Sequence, residues 1–284
     1  MPSLGDSSLK RFTIVRWLVL ALACFEALPA AAQTPTASVS KVALVSEQEA
    51  IVPGKQFWLG LKFDLDPGWH IYWVNAGDSG EPPKVEWHMP RGFRAGDVQW
   101  PYPERLKSSS FLDYGYQDHV LLMVPVHAPL DLKVGERVSL EGHLRWVVCR
   151  EVCIPARQDL TLVLATQPAT ASGSNDLFEV TRKRLPKPMP SNWRVTAVSD
   201  NDQFELTINA GHRISQSTFF PLLPQQVENA APQQLSSFPR GVRIRLRKSD
   251  QLLKPIAALK GVLVVAPDQA YVIDAKVRNA GGLR

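Results

Sequence analysis

Cysteine is scarce in this 284-residue sequence, which holds only 3. That excludes a small scaffold stapled by many disulfides. Long apolar runs are also missing. None approaches the roughly 18 residues of a membrane-crossing helix, which excludes a polytopic helical membrane protein. Collagen and coiled-coil repeats are absent as well. Charged residues make up 21% and hydrophobic residues 45%, a globular rather than a disordered balance. The 23 prolines favour short strands and loops over long helices. At about 150 residues per domain, the length predicts two domains.

The first segment reads as an address. Lys10, Arg11 and Arg16 precede an apolar stretch from Trp17 to Phe25, and Ala30-Ala31-Ala32 supplies an A-x-A cleavage site before Gln33. This order predicts a secretory signal peptide over residues 1–32. Leu20-Ala21-Leu22-Ala23 before Cys24 leaves a lipoprotein as a second reading. Cys24 departs with the signal, so Cys149 and Cys153 are the thiols of an exported chain, in a compartment where disulfides persist.

The rest divides into residues 33–168 and 169–284, joined by the small, polar stretch Gln167 to Ser174. In the first part Phe57, Leu59, Leu61, Phe63 and Leu65 alternate with other residues, the period of a half-buried strand. Val138, Leu140, Leu144, Trp146 and Val148 share one strand face. Pro67-Gly68, Gly77 to Gly80 and Pro82-Pro83 mark turns. Many short strands with such punctuation predict a mainly β sandwich. The second part opens with a short helix near Asp176 to Leu185 and then returns to β alternation, for example at Val242, Ile244 and Leu246.

Charge is uneven. Residues 33–168 carry 13 basic and 16 acidic residues, and residues 169–284 carry 16 basic and 9 acidic. Arg243, Arg245 and Arg247 lie on one face of a strand. That stripe fits a solvated outer face, or an anionic partner. Nothing resembles a nucleic-acid module.

The thiol pair stands as Cys149-Arg150-Glu151-Val152-Cys153. Extended chain would separate the two by about 13 Å, whereas a disulfide needs Cα atoms about 4.4–6.8 Å apart. The chain must therefore reverse, with Cys149 ending one strand and Cys153 in or beyond the turn. Loop entropy gives so small a ring about 2 kcal/mol, a weak staple for a chain of this size. A close pair suits changes of redox state, since both sulfurs stay together when reduced. A structural bridge is the alternative. Access to sulfur decides which thiol attacks, with Cys149 the favoured choice.

Aromatic residues crowd the same part. Six of the 8 tryptophans lie in residues 33–168. Trp69-His70-Ile71-Tyr72-Trp73 is followed by Gly77-Asp78-Ser79-Gly80. Trp69 and Trp73 read as core. A dithiol carrying electrons needs shielding, and Tyr72, Trp73 and Asp78 fall in a candidate cap loop between Tyr72 and Gly80. Asp113-Tyr114-Gly115-Tyr116 reads as a second polar-aromatic loop, bringing Tyr114 and Tyr116 towards the site. Strand packing is the alternative for both tyrosines.

Taken in order, Trp69-His-Ile-Tyr-Trp, Gly77-Asp-Ser-Gly, Trp100-Pro-Tyr-Pro, Tyr114-Gly-Tyr and Trp146-Val-Val-Cys-Arg-Glu-Val-Cys-Ile-Pro resemble the periplasmic N-terminal region of DsbD-type thiol:disulfide interchange proteins, in the branch that includes ScsB. The resemblance is densest over residues 41–165. A weaker signal follows at Phe219-Phe220-Pro221 and Leu259-Lys-Gly-Val-Leu. It implies an immunoglobulin-like sandwich bearing the dithiol, a second β-rich domain, and a protein thiol-disulfide oxidoreductase of the periplasm. Cys149 and Cys153 match the redox pair, which needs no cofactor beyond the disulfide. The implied partners are a membrane-embedded electron donor and thioredoxin-like or disulfide isomerase proteins. Family members usually continue into a membrane domain, so the donor is expected to be a separate protein.

Two other readings stand beside this one. Cys-x3-Cys-x-Pro also suits Cu(I), with His143 or His119 as a third ligand to the soft thiolates. A docking module with a structural disulfide is the other.

Overall fold

The computed structural model describes residues 39–108, 111–168 and 176–280. The signal peptide expected over residues 1–32, with Cys24, lies outside them, as does most of the expected linker.

The alternation seen in the sequence becomes two facing sheets. Ser40–Ser46, Gln56–Leu65, His119–His127 and Arg94–Ala95 form an antiparallel sheet in that order. Along Gln56–Leu65, Phe57, Leu59, Leu61, Phe63 and Leu65 all point inward and are buried. The second sheet runs Ala50–Ile51, Cys153–Thr166, Arg137–Cys149, His70–Gly77, Phe111–Gln117 and Glu104–Ser108. Lys84–His88 adds to it by pairing with Arg137–Cys149. Burying two apolar faces against each other is what such period-2 strands achieve. Phe63 of the first sheet meets Trp146 of the second edge-on, with ring centroids 5.9 Å apart. Trp146 Nε1 also donates to Ser40 Oγ across the layers at 3.2 Å. The fold is a mainly β sandwich, as the patterning predicts.

One hairpin dominates the second sheet. Arg137–Cys149 and Cys153–Thr166 pair without interruption from Arg137 opposite Ala165 to Cys149 opposite Cys153. The reversal expected between the cysteines is the tip of this hairpin.

Residues beyond 176 supply a helix and a third sheet. The helix Asp176–Arg184 has Asp176 and Glu179 in its first turn and Arg182, Lys183 and Arg184 in its last, charges that oppose the helix dipole. Its Phe178 is buried with Leu121 and Met123 on the outside of the sandwich. The third sheet runs Thr218–Pro221, Ala258–Ala266, Gln269–Asn279, Arg194–Ser199, Gln203–Asn209, Gly241–Arg247 and Gln234–Phe238, with Lys187–Pro188 at its side. It has its own core around Phe204, Leu206, Ile244 and Leu263. Phe220, Val262 and Ala270 belong instead to the core of the sandwich. Arg243, Arg245 and Arg247 do share an exposed face, where Arg243 and Arg245 both pair with Glu205. That is the solvated outer face of an antiparallel strand.

Candidate functional site

Cys149 and Cys153 close a disulfide across the hairpin tip, their Cα atoms 4.2 Å apart. The register makes this possible, since the two are directly opposed as the last pair of the ladder. The tip faces solvent: Arg150, Glu151 and Val152 are exposed, Val152 at 64%. The two cysteines differ sharply. Cys149 is only 2% exposed, while Cys153 is exposed. The expectation that partners meet Cys149 therefore needs correction. Cys149 lies on the strand face of Arg145 and Val147, opposite to the inward face of Trp146 and Val148, and is buried there where it stands opposite His70 of the neighbouring strand. Cys153 opens the outgoing strand and is the cysteine within reach.

Tyr72 stands directly behind Cys153. It is fully buried, and its hydroxyl lies 3.5 Å from Cys153 Sγ and 3.4 Å from Ser79 Oγ. Burial pushes the Tyr72 phenol above its ordinary range, so it stays protonated. Ser79 is in turn held by Asp113, to which it donates from its backbone N–H at 2.9 Å and from its hydroxyl at 2.9 and 3.0 Å. His70 completes the group. Its ring meets that of Tyr72 edge-on at 5.2 Å, and its Nε2 lies 3.8 Å from Asp113 Oδ2, beyond hydrogen-bond reach. Burial pulls the His70 pKa down, and the nearby Asp113 opposes this only in part.

The Gly77-Asp78-Ser79-Gly80 motif is the brace for this arrangement. Asp78 accepts from the backbone N–H of Leu112 at 2.7 Å, which pins the turn to the next strand. Gly80 has a φ of +70°, and a Cβ there would fall 2.0 Å from the Tyr72 ring. Only glycine allows the turn to close over that ring.

Several placements differ from the sequence reading. Tyr72 and Trp73 lie in the strand His70–Gly77, so the cap loop expected from Tyr72 to Gly80 shrinks to a turn at Asp78 to Gly80. Tyr114 and Tyr116 are not in a loop. They are buried residues of the strand Phe111–Gln117, which lies inside the sheet. The Asp-Tyr-Gly-Tyr run looked turn-like because of Gly115, whose bare backbone instead lets the strand press against the Ile71 carbonyl. Tyr116 donates to the Pro101 carbonyl at 2.7 Å, which accounts for part of the Trp100-Pro-Tyr-Pro motif. Burial raises both phenols well above their usual range.

Trp73 and Tyr114 form a buried aromatic triad with Phe220, at centroid distances of 6.4, 6.2 and 5.5 Å. The sequence does not point to Phe220 or Asn229 at the site. Asn229 donates to Asp78 Oδ1 at 2.7 Å and accepts from the Tyr114 hydroxyl at 2.9 Å. Ser79 and His70 sit inside motifs visible in the sequence, whereas nothing local marks Asn229.

The copper reading loses its third ligand. His143 is six residues before Cys149 on an extended strand, about 20 Å away at 3.3 Å per residue. Its Nδ1 pairs with Asp159 at 2.5 Å. His119 begins a strand of the opposite sheet. Among the described residues, no group of three or more His, Cys, Asp or Glu side chains is gathered to hold a metal ion.

A cavity of about 290 Å³ opens beside the hairpin tip, lined by Arg105, Lys107 and Arg150 together with His70. Arg150 lies over the Trp69 ring at 5.2 Å. The pocket beside the disulfide thus carries three cations, one of them stacked on an aromatic ring.

The structure is similar to the N-terminal periplasmic domain of ScsB from Proteus mirabilis, at 18% identity and a TM-score of 0.65, over 84% of this chain and 94% of that one. A protein of unknown function from Porphyromonas gingivalis W83 aligns over 85% of this chain and 99% of its own, but at 11% identity and a TM-score of 0.25. Among curated proteins no sequence matches. A family model described as thiol:disulfide interchange protein DsbD, N-terminal, matches residues 41–165, the segment that carries the disulfide.

Proposed function

We propose that this chain is a periplasmic thiol:disulfide interchange module that carries electrons on Cys149 and Cys153. The observation that carries the reading is the unequal exposure of a disulfide at a solvent-facing hairpin tip, with Cys153 exposed and Cys149 at 2%. Such a pair offers one sulfur to a partner and keeps the other in reserve. The family match and the periplasmic ScsB neighbour support the same role.

The steps balance as two successive exchanges. A thiolate of a membrane-embedded donor attacks Cys153 Sγ, the internal disulfide breaks, and Cys149 leaves with the electron pair and takes up a proton. The donor's second thiolate then attacks the mixed disulfide, which oxidises the donor and frees Cys153. In the second exchange the Cys153 thiolate attacks the disulfide of a thioredoxin-like or isomerase protein. Cys149 resolves that mixed disulfide and restores the internal bridge. Two electrons and two protons pass from donor to acceptor, with no cofactor other than the dithiol.

The test is trapping. With Cys149→Ala, the exposed Cys153 should form mixed disulfides with oxidised thioredoxin-like proteins that dissolve on adding dithiothreitol. Cys153→Ala should trap far less. Equal trapping by both variants, or none by either, would remove this reading.

A further inference from the structure

We infer that the single proton of the Tyr72 hydroxyl is shared between Ser79 and Cys153, so that Ser79 and Asp113 tune the reactivity of the Cys153 thiol. This rests on the interchange reading, but its test does not need a redox partner.

Ser79 has one hydroxyl proton, and it is committed to the Asp113 carboxylate at 2.9 and 3.0 Å. The Ser79 backbone N–H is aimed at the same carboxylate. An ionised carboxylate only accepts, so Ser79 Oγ can only accept from Tyr72. Tyr72 therefore has to be the donor across the 3.4 Å contact with Ser79. The same phenol is the donor available to Cys153 Sγ at 3.5 Å. One proton cannot serve both acceptors fully. While Cys153 is in the disulfide, or is a neutral thiol, Ser79 is the better acceptor. When Cys153 becomes a thiolate, the charged sulfur competes for the proton and Ser79 Oγ goes without. Ser79 thus withholds stabilisation from the thiolate, and Asp113 enforces this by holding the Ser79 hydroxyl.

Ser79 and Asp113 are positioning residues here, and of the three it is Tyr72 that touches the reacting sulfur. The charged and titratable groups on the surrounding elements are His70, Asp78, Asp113, Arg105, Lys107, Arg150 and Glu151. Neither Tyr72→Phe nor Ser79→Ala adds or removes a charge from that set. The two substitutions therefore report on hydrogen bonding against a constant electrostatic background.

The two substitutions should shift the thiol in opposite directions. Tyr72→Phe deprives the thiolate of its donor and raises the Cys153 thiol pKa. Ser79→Ala removes the competing acceptor, gives the proton to sulfur, and lowers it. The double variant behaves like Tyr72→Phe, because Ser79 acts only through the phenol. A purely structural role for Ser79 would push both singles the same way.

The experiment is alkylation of the fully reduced protein by iodoacetamide from pH 5 to 10, with the modified peptide identified by mass spectrometry. The thiolate attacks carbon, a sulfur–carbon bond forms, and iodide leaves. Cys149 is buried, so Cys153 reacts first. A hydrogen bond of ordinary strength moves the midpoint of the pH–rate profile by roughly half to one pH unit. One unit corresponds to about a threefold change in rate on the acid side, after allowing for the lower nucleophilicity of a more acidic thiol. The expected result is a rise for Tyr72→Phe, a fall for Ser79→Ala, and a rise for the double variant. Midpoints that move together, or that do not move, overturn the inference. Should Ser79→Ala fail to fold, Tyr72→Phe decides alone, since an unchanged or lowered midpoint is incompatible with Tyr72 as the donor. Loss of interchange together with the expected midpoint shifts would count against the function and leave this inference intact.

Discussion

Asn229 reaches Asp78 across 151 positions of sequence, its Nδ2 donating to Asp78 Oδ1 at 2.7 Å. Its Oδ1 accepts from the buried Tyr114 hydroxyl at 2.9 Å. One side chain from the second half thus secures both the turn over Tyr72 and the aromatic floor beneath it. Asn229→Ala should leave a buried hydroxyl unpaired and cost about 1–3 kcal/mol, read as a lower urea midpoint with an unchanged slope.

Phe220 is the apolar counterpart of this link. It is 4% exposed and packs against Trp73 and Tyr114. Phe220→Ala should cost about 3–5 kcal/mol through the cavity it leaves. Equilibrium unfolding followed by tryptophan fluorescence would measure it.

The β alternation was legible because period-2 burial is written residue by residue, as in Phe57 to Leu65 and Val138 to Val148. The opposed cysteines at a reversal followed from chain geometry alone. Tyr114 and Tyr116 were misplaced because glycine between aromatics reads as a turn, whereas Gly115 permits a close approach to Ile71 within a sheet. Which cysteine is exposed depends on the neighbouring strand that carries His70, a contact between residues 79 positions apart. The hydrogen bonds of Asn229 lie beyond any local signal.

Gly80→Ala tests the turn. A Cβ at a φ of +70° is strained, and it would meet the Tyr72 ring at 2.0 Å. The left-handed backbone alone costs about 1–2 kcal/mol, so a total loss above that range is expected in thermal or urea unfolding. A neutral result would mean that the turn does not sit on Tyr72.

His70 gives a pH dependence of known sign. Its folded pKa is lowered from 6.5 by burial, so between the folded value and 6.5 the unfolded chain binds more protons. Its contribution is fully present above pH 6.5 and is lost as the pH falls through that window. His70→Phe, which cannot titrate, should show a shallower fall in melting temperature below pH 6.5 than the parent. Equal slopes would show that His70 is not held neutral by the fold.

The reduction potential of Cys149–Cys153 bears most directly on whether this bridge carries electrons or merely holds the hairpin. It is read by equilibrating the protein with dithiol–disulfide buffers, quenching with an alkylating agent, and weighing the reduced fraction by mass spectrometry. A carrier should lie between about −270 and −120 mV, within reach of known dithiol exchange proteins. A value below about −300 mV would mark a structural bridge and contradict the proposed function.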